Sequence, residues 1–273
     1  MKEITESREL REIQLGILNY VDLFCKQHHI QYFLCAGTLI GAIRHKGYIP
    51  WDDDIDICMK RDQYEAFFKA FNSCDNGEYK AVELSLDPNY YCTFGKVYNN
   101  NTSLREETES NYEIGVNIDI FPLDSLPKYS LMTKVDLLRI RALQRIRSLK
   151  TIKPSGHRAR AKNLLLKVGS CIFKPFSVKT LMLKEIKIST KHNSKSDPSQ
   201  YLLDCDMLRY GLTKIYKYSD FDKSVEAEFE GYTFPVPIGY DNALRCIYGD
   251  YMTLPPEEKR IAHHSFKAYW KDR

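Results

Sequence analysis

The chain has 273 residues, 43% of them hydrophobic and 28% charged, with a formal net charge of +4 at pH 7. This length and apolar content suit one large domain or two small ones and exclude a disordered chain. The charged start "MKEITESRELREIQ" lacks the apolar region of a signal peptide, and no run approaches the roughly 18 to 20 apolar residues of a membrane span, so we expect an intracellular protein that does not cross a membrane.

The first 125 residues predict a mixed β-sheet with helices packed on it. Apolar residues recur at spacings of three and four near the N-terminus, which is typical of an amphipathic helix, and short apolar runs between polar turns predict buried strands. The expected elements are a helix at 3–28, a strand at 31–35, a helix from about Thr38 to Gly47, a strand at 55–59, a helix from Asp62 to about Asn72, and strands in "YKAVEL", "YCTFGKVYN" and "GVNIDIFPL" with a turn at 99–102. Asp62 and Glu65 resemble a capping box at the start of the third helix.

A strongly basic segment follows. Residues 126–196 contain 18 Lys and Arg against two acids, Asp136 and Glu185, a net charge of +16, so the remainder must carry −12 to reach the total of +4. Helices are expected at roughly 130–152, 158–173 and 177–191, followed by a linker at 190–199. Such a segment repels itself unless anions neutralise it, which points to an anionic partner.

The last part returns to strand patterns. "VEAEFEGYTFPVP" alternates on both sides of Glu-Gly and predicts a hairpin. "NALRCIYG" predicts a final helix, with Asp241 as a candidate cap and Gly249 at its end.

The eight cysteines do not form a recognisable pattern. No two are closer than ten residues, so neither a zinc knuckle nor a disulfide framework is indicated. Several lie in apolar runs, and we interpret them as buried free thiols.

The order of strands and helices lacks a regular β-α-β rhythm. We therefore expect the α+β class, a small mixed sheet with packed helices and a basic helical insertion. The expected layout is a first core part at 1–125, the insertion at 126–198 and a core completion at 199–273.

Three aspartates stand out as candidate metal ligands. On an extended strand Asp54 and Asp56 would face the same side, and Asp119 lies between Ile118 and Ile120 in another apolar strand. Carboxylates there repel one another and lose hydration unless a cation such as Mg²⁺ binds them. If the two strands are neighbours, the three acids suit a two-metal site for phosphoryl transfer. The alternative for Asp54 and Asp56 is an acidic turn with a helix-capping residue.

Gly37 and Thr38 precede these acids at the start of a short helix. A glycine allows close backbone approach, and the free N–H groups of a helix N-terminus bind anions. We therefore predict a phosphate-binding turn beside the carboxylates.

These motifs resemble the signature of the LicD family of phosphotransferases, which belongs to the nucleotidyltransferase superfamily. The resemblance lies in "GTLIGAIRHKGYIPWDDDIDI", "GKVYNNNTS", "GVNIDIFPLD" and "YGDYMTLPPEEKRIAHH", which together span most of the chain outside the basic segment. It implies a nucleotidyltransferase-like sheet and transfer of phosphocholine from CDP-choline to a sugar of a cell-surface glycan of teichoic acid or lipopolysaccharide type, with release of CMP.

The resemblance also assigns residues. Gly37 and Thr38 match the phosphate-contacting turn, Asp54 and Asp56 the metal-binding pair, and Asp119 the third carboxylate, with two Mg²⁺ ions expected and Mn²⁺ as the alternative ion. We further expect Asp119 to act as general base.

For several other residues, a functional role and a purely structural role are both considered. Arg44 and Lys96 are candidates to neutralise phosphate charge or to form surface salt bridges, and His263 and His264 to bind donor or acceptor or to be structural. Trp51 is expected to bury its loop rather than stack on cytosine, and Asp52 and Asp53 to adjust the charge near the metal or cap a turn. Tyrosines that could surround a choline head group, or be ordinary sheet aromatics, are Tyr90, Tyr91, Tyr98 and Tyr112.

The basic segment has three conceivable partners: an anionic inner leaflet, an anionic lipid-linked glycan acceptor, or nucleic acid. Leu131, Val135, Leu138, Ala142 and Ile146 form an apolar stripe that favours membrane or acceptor docking but would equally serve to pack on the core. We expect a peripheral protein at the inner face of the plasma membrane, with no nucleic acid partner.

Three other functions are weighed against this one. A nucleotidyltransferase adding NMP to a small acceptor, or a transferase of another CDP-linked phospho-alditol, would use the same carboxylates. A nucleic-acid-binding protein would account for the basic segment but leave the three carboxylates unexplained.

Overall fold

The computed structural model describes residues 1–106, 112–127, 130–151, 168–169, 171–193, 200–261 and 266–272. Within these ranges the strands are β1 Lys2–Ile4, β2 Phe33–Leu34, β3 Asp56–Lys60, β4 Tyr79–Val82, β5 Gly95–Asn99, β6 Thr102–Glu106, β7 Asn117–Leu126, β8 Tyr201–Asp204, β9 Tyr216–Lys217, β10 Ser224–Phe229, β11 Tyr232–Pro237 and β12 Phe266–Trp270. The α-helices there are α1 Ser7–Gln27, α2 Ala36–Ile40, α3 Arg61–Ser73, α4 Leu131–Thr151, α5 Val178–Ser189 and α6 Tyr240–Tyr248.

A seven-stranded mixed sheet forms the centre of the fold. Its main order is β2-β3-β7-β5-β4, and β8 pairs with both β7 and β9. The central pair β3–β7 is parallel, and the other neighbours in this sheet are antiparallel. This mixed sheet with helices confirms the predicted α+β class.

Helices α1 and α3 cover one face of the sheet. The apolar residues of α1 recur on one side, and Ile17, Val21 and Phe24 are buried against the sheet together with Phe67 and Phe71 of α3. The predicted amphipathic pattern thus corresponds to a real buried face.

The opposite face carries a second apolar cluster. Phe33, Cys58 and Phe121 of the sheet pack there against Phe221 and Ile247, the latter on α6. The predicted hairpin is confirmed as β10–β11, closed by Glu230 and Gly231 at φ +51° and +77°. Positive φ at both central residues gives the twist that suits a two-residue hairpin loop.

The chain ends meet in a small third sheet. Strand β12 lies between β1 and β6, with Ile4 opposite Ala268. The prediction of one helix from residue 3 is therefore wrong at its start: residues 2–4 pair with β12 and the helix begins at Ser7.

In the described part of the basic insertion, the two long elements are helix α4 and helix α5. Leu137 and Ile140 of α4 are buried against Leu203 and Leu208 of the core. The predicted helices at 130–152 and 177–191 are confirmed, whereas most of the one at 158–173, and residues 194–199 of the linker, lie outside the described residues.

The insertion leaves and re-enters the core at one point. The amide of Gln200 donates to the carbonyl of Leu126 at 3.2 Å, and Leu126 is the strand partner of Tyr201. The end of β7 and the start of β8 are therefore adjacent in space as an antiparallel pair, although more than 70 residues separate them in sequence.

Two predicted helix caps are wrong. Helix α3 begins at Arg61 directly after β3, so Lys60 occupies the cap position and Asp62 lies in the first turn, where a carboxylate still suits the helix dipole. Gly239 precedes α6, and Asp241 instead accepts hydrogen bonds from Arg245 and Tyr251.

The cysteines are only partly as predicted. All eight are free; Cys25, Cys35 and Cys58 are buried, but Cys74 and Cys171 are exposed.

Candidate active site

The two carboxylate-bearing strands, whose adjacency the sequence left open, are neighbours. Asp56 is the partner of Asp119 across the parallel pair β3–β7, and Lys96 is the partner of Asp119 across β5–β7. Partners in register point to the same face, so these three side chains project side by side. Ile57 and Ile118 point to the opposite face and belong to the core.

Asp56 is a buried acid among other acids. Burial, and then the charges of Asp54, Asp119 and Asp52, raise the pKa of its carboxyl well above the ordinary value, and Lys96 only partly opposes them. An ionised Asp56 therefore needs more positive charge than the described side chains provide.

Asp119 is held by Lys96. The Lys96 Nζ donates to Asp119 Oδ1 at 2.5 Å and to Asn117 Oδ1 at 3.0 Å. Burial alone lowers the pKa of Lys96, but the charges of Asp119, Cys92 and Tyr91 outweigh burial and raise it above its ordinary value. Lys96 is thus a buried ammonium that forms an ion pair with Asp119, the third carboxylate.

Asp52, Asp53 and Asp54 form the loop before β3. Each offers a carboxylate oxygen within 4.8 Å of the others. Arg11 donates to the carbonyl of Asp52 at 2.7 Å, and Gln14 donates to that of Asp53 at 2.9 Å, so helix α1 fixes the loop backbone. The strand begins only at Asp56, so Asp54 approaches the site from this loop rather than from the strand face that the sequence predicts.

Gly37 and Thr38 lie at the start of α2, which begins two residues before the predicted Thr38. A Cβ atom on Gly37 would lie 2.5 Å from Asp52 Oδ2, so a larger residue at this position would displace the Asp52 carboxylate. The Thr38 hydroxyl accepts a hydrogen bond from the amide of Asp56 at 2.8 Å. Both residues therefore position the acids.

The remaining predicted residues contact other parts of the chain or lie outside the described residues. Arg44 donates to His45 Nε2 at 2.9 Å and to the carbonyl of Tyr251. Trp51 is half-buried against the main core, with the Arg260 guanidinium 5.8 Å from its ring centre. His263 and His264 lie outside the described residues.

The tyrosines pack against one another. Tyr90, Tyr91 and Tyr112 have ring centres 5.4 to 5.8 Å apart, which is ordinary aromatic contact and leaves no room between them for a trimethylammonium group. Tyr98 packs at the edge of the same apolar cluster. This geometry favours the ordinary reading of these rings.

Two residues beside the site were missed by the sequence argument. Asn117 shares a strand face with Asp119, and their two-residue spacing is a signal that could have identified it. Asp206 follows β8; burial raises its pKa, Arg209 and Arg147 oppose this, and Asp119 adds to it. Nothing in the local sequence of Asp206 indicates that it lies near Asp119.

The donor set fits a hard divalent cation. It consists of carboxylate oxygens, which Mg²⁺ prefers, and Asp56 is buried among negative charges that an ion would neutralise. Among the described residues, Asp52, Asp53 and Asp54 have carboxylate oxygens within 4.8 Å of one another, and Asp56 and Asp119 are partners across β3–β7, so these acids could hold such an ion.

Comparison with known proteins identifies the family of the chain. Residues 29–161 match the LicD/FKTN/FKRP nucleotidyltransferase domain. The chain is 33% identical over 287 aligned positions to the lipopolysaccharide cholinephosphotransferase LicD of Haemophilus influenzae, covering 98% of this chain and 99% of that protein. Uncharacterized proteins of Rickettsia prowazekii (RP689) and Rickettsia typhi (RT0683) are 55% identical over 31 residues, which is 11% of this chain.

Proposed function

The chain belongs to the LicD family and is a LicD-type phosphotransferase, and from this we propose that it transfers phosphocholine from CDP-choline to a sugar hydroxyl of a cell-surface glycan. The observation that carries the proposal is the end-to-end similarity to a lipopolysaccharide cholinephosphotransferase. A glycan of lipopolysaccharide type is the acceptor closest to that relative's name, and a teichoic acid is the alternative.

The reaction requires cations at the carboxylates. We assign two Mg²⁺ ions to Asp54, Asp56 and Asp119, with Mn²⁺ as the alternative; bound ions would neutralise the diphosphate and stabilise the oxygens on both sides of the transferred phosphorus. The burial of Asp56 among other acids supports this assignment.

Asp119 is the general base in this scheme. It takes the proton of the acceptor hydroxyl while that oxygen bonds to the choline-bearing phosphorus, and the bond from this phosphorus to the CMP oxygen breaks. Lys96, 2.5 Å from Asp119, keeps the carboxylate oriented and adds positive charge beside the phosphate. Arg44 remains a residue predicted to neutralise phosphate charge, and His263 and His264 remain residues predicted to bind donor or acceptor.

The place of the reaction follows from its substrates. A CDP-linked donor is soluble, whereas a lipid-linked anionic glycan lies at a bilayer, so we place the protein at the inner face of the plasma membrane. Within the described ranges, no helix has the length and apolar character that crossing a bilayer needs.

The decisive experiment measures CMP release by the purified protein with Mg²⁺, a glycan acceptor and a set of CDP-linked donors. CMP from CDP-choline alone supports the proposal. CMP from another CDP-alditol identifies a different donor, and pyrophosphate release from CTP would indicate a nucleotidyltransferase.

Asp56→Asn is expected to lower the rate of CMP release at least about 100-fold, since it removes a charge that no neighbour can replace. Chelation of divalent ions should have the same effect and be reversed by Mg²⁺. Asp62→Asn, an exposed aspartate on α3, is the matched control and should be unaffected. CMP release near wild type in the Asp56 variant would contradict the metal assignment.

A further inference from the structure

Helix α4 carries two apolar faces. One contains Leu137 and Ile140 and is buried against the core. The other contains Leu131, Val135, Leu138 and Ala142, which we call the outer face of α4. At 100° per residue, the four outer-face residues fall within about 60° of one another, on the side opposite the buried face.

The outer face is exposed to solvent. Leu131 is 79% exposed, Leu138 53% and Val135 38%. A helix at the surface of a soluble protein normally turns its polar side outward. Ile146, the fifth residue of the stripe that the sequence predicts, is partly buried, whereas the four outer-face residues are exposed, so this part of the stripe does not pack on the core.

Basic side chains border the outer face. Lys134 and Arg145 lie along one edge and Arg139 along the other, and these side chains are exposed. Contiguous exposed apolar residues with a charged border mark an interaction site.

Both acids of the insertion are withdrawn from its surface. Asp136 is 6% exposed and accepts from Lys191 at 2.8 Å, and Glu185 is 1% exposed and accepts from Gln144 at 2.7 Å. Asp136 also pairs with Arg139 at 3.5 Å, and the charged side chains that are exposed in the described part of residues 126–196 are all basic.

An anionic bilayer is complementary to both the apolar outer face and its basic border. Its headgroups neutralise the basic border, and its interface receives the apolar side chains. A second copy of the chain that docked through the same face would bring another +16 segment against the first. Nucleic acid would match the charge but would leave four apolar side chains against phosphates.

We propose that the outer face of α4 lies in the headgroup region of an anionic lipid bilayer and docks the protein there. This goes beyond the proposed function, because it assigns the lipid contact to particular side chains and does not depend on which donor is used. The docking proposal can be wrong while the transferase proposal is right, and the transferase proposal can be wrong while the docking proposal is right.

The test is flotation of the purified full chain with vesicles of phosphatidylcholine alone or mixed with phosphatidylglycerol. Binding only to the mixed vesicles is expected. Leu131→Gln with Leu138→Gln should weaken it at least about tenfold, because two apolar anchors are lost. Leu23→Gln with Leu86→Gln, exposed leucines elsewhere, is the matched control and should bind as wild type.

A second pair of variants tests the border. Lys134→Gln with Arg145→Gln should weaken binding about thirtyfold, the loss expected for two basic residues at an anionic surface. Arg8→Gln with Lys69→Gln removes the same charge from exposed positions on α1 and α3 and should have little effect.

Three results would overturn the proposal: no vesicle binding, equal loss in the test and control variants, or loss in the charge variant alone. A dimer in light scattering that the leucine variant dissociates would assign the face to a second copy instead. CMP release with a soluble acceptor, measured on the same proteins, reports separately on the transferase.

Discussion

At the scale of single residues, the site depends on one lysine that is buried between two polar neighbours. Lys96 is only 6% exposed, and its ammonium donates to Asp119 and Asn117. A buried ammonium is stable only while its carboxylate remains charged, so the two groups hold each other in place. Lys96 thereby links the geometry of β5 to that of the proposed base.

Lys96→Gln is expected to lower kcat for CMP release about 100-fold, because it removes a positive charge from the reacting phosphate and frees Asp119 to rotate. Lys80→Gln, on the neighbouring strand but exposed, is the control. Steady-state kinetics and thermal unfolding should be measured together. An unchanged kcat in a folded Lys96 variant would show that the lysine is structural only.

Asp204 should make stability depend on pH. Burial, followed by the charge of Asp206, raises the pKa of Asp204 to about 7. The native state then holds a proton that the unfolded chain has released, so the free energy of unfolding falls as pH rises from the ordinary aspartate value to about 7.

Asp204→Asn keeps an acceptor for the amide of Asp206 but cannot ionise. Relative to wild type, its free energy of unfolding should rise by up to about 4 kcal/mol between about pH 4 and pH 8, at 1.36 kcal/mol per pKa unit. Chemical denaturation at both pH values measures this, with Asp62→Asn as the control. A difference independent of pH would refute the assignment.

At the scale of elements, an ion pair joins helix α3 to strand β7. Arg61, the first residue of α3, donates to both oxygens of Asp124 at 2.7 and 3.0 Å, and Asn193 donates to the same carboxylate at 2.7 Å. Both charged side chains are largely buried. One acid therefore anchors the helix, the sheet and the end of the insertion.

Asp124→Ala should lower the free energy of unfolding by about 3 to 5 kcal/mol, because it leaves the Arg61 guanidinium buried and unpaired. Arg61→Met combined with Asp124→Leu should lose less, since no charge is stranded. Denaturation midpoints of the two variants provide the comparison. A double variant that is less stable than the single one would contradict this reasoning.

The sequence predicts most elements and fewer of their ends. Apolar periodicity identifies α1, α3 and the strands β3, β5 and β7, because burial imposes it. Helix starts were wrong where a preceding strand, as at Lys60, continues straight into the helix, or where Ile4 and its neighbours pair with a strand more than 260 residues away. Such distant pairings leave no local pattern.

The candidate site also contains some features that the sequence predicts and others that it does not. Asp56 and Asp119 are recognisable because each is an acid within an apolar strand. The commitment of Lys96 to Asp119, the contact of Gly37 with Asp52 and the approach of Asp206 depend on strand register and loop path, which no spacing along the chain encodes.

At the scale of the whole molecule, the basic insertion connects two strands, β7 and β8, that pair with each other like the strands of a hairpin. Leu126 and Tyr201 are strand partners, so the core closes without the residues between them. The division into 1–125, 126–198 and 199–273 stays a prediction that this geometry makes testable.

Replacing residues 127–200 by an Asn-Gly turn should leave a chain that unfolds cooperatively, since a two-residue turn suits an antiparallel pair. Its melting temperature should fall, because Leu203 and Leu208 lose their cover from α4, and its binding to anionic vesicles should vanish. Calorimetry and flotation test both points. A variant without a cooperative transition would show that the insertion is part of the core.

The parallel pairing of β3 with β7 has a consequence for the specific activity of a protein preparation. Asp56 and Ile57 lie on opposite faces of β3, so a slip of one residue would turn Asp56 into the core and Ile57 out of it. The cost of burying the carboxylate among apolar side chains makes the slipped state unstable as a fold, and not merely as a catalyst. Molecules that are folded but misaligned should therefore be rare, and the specific activity of a preparation should report the fraction of molecules that have folded.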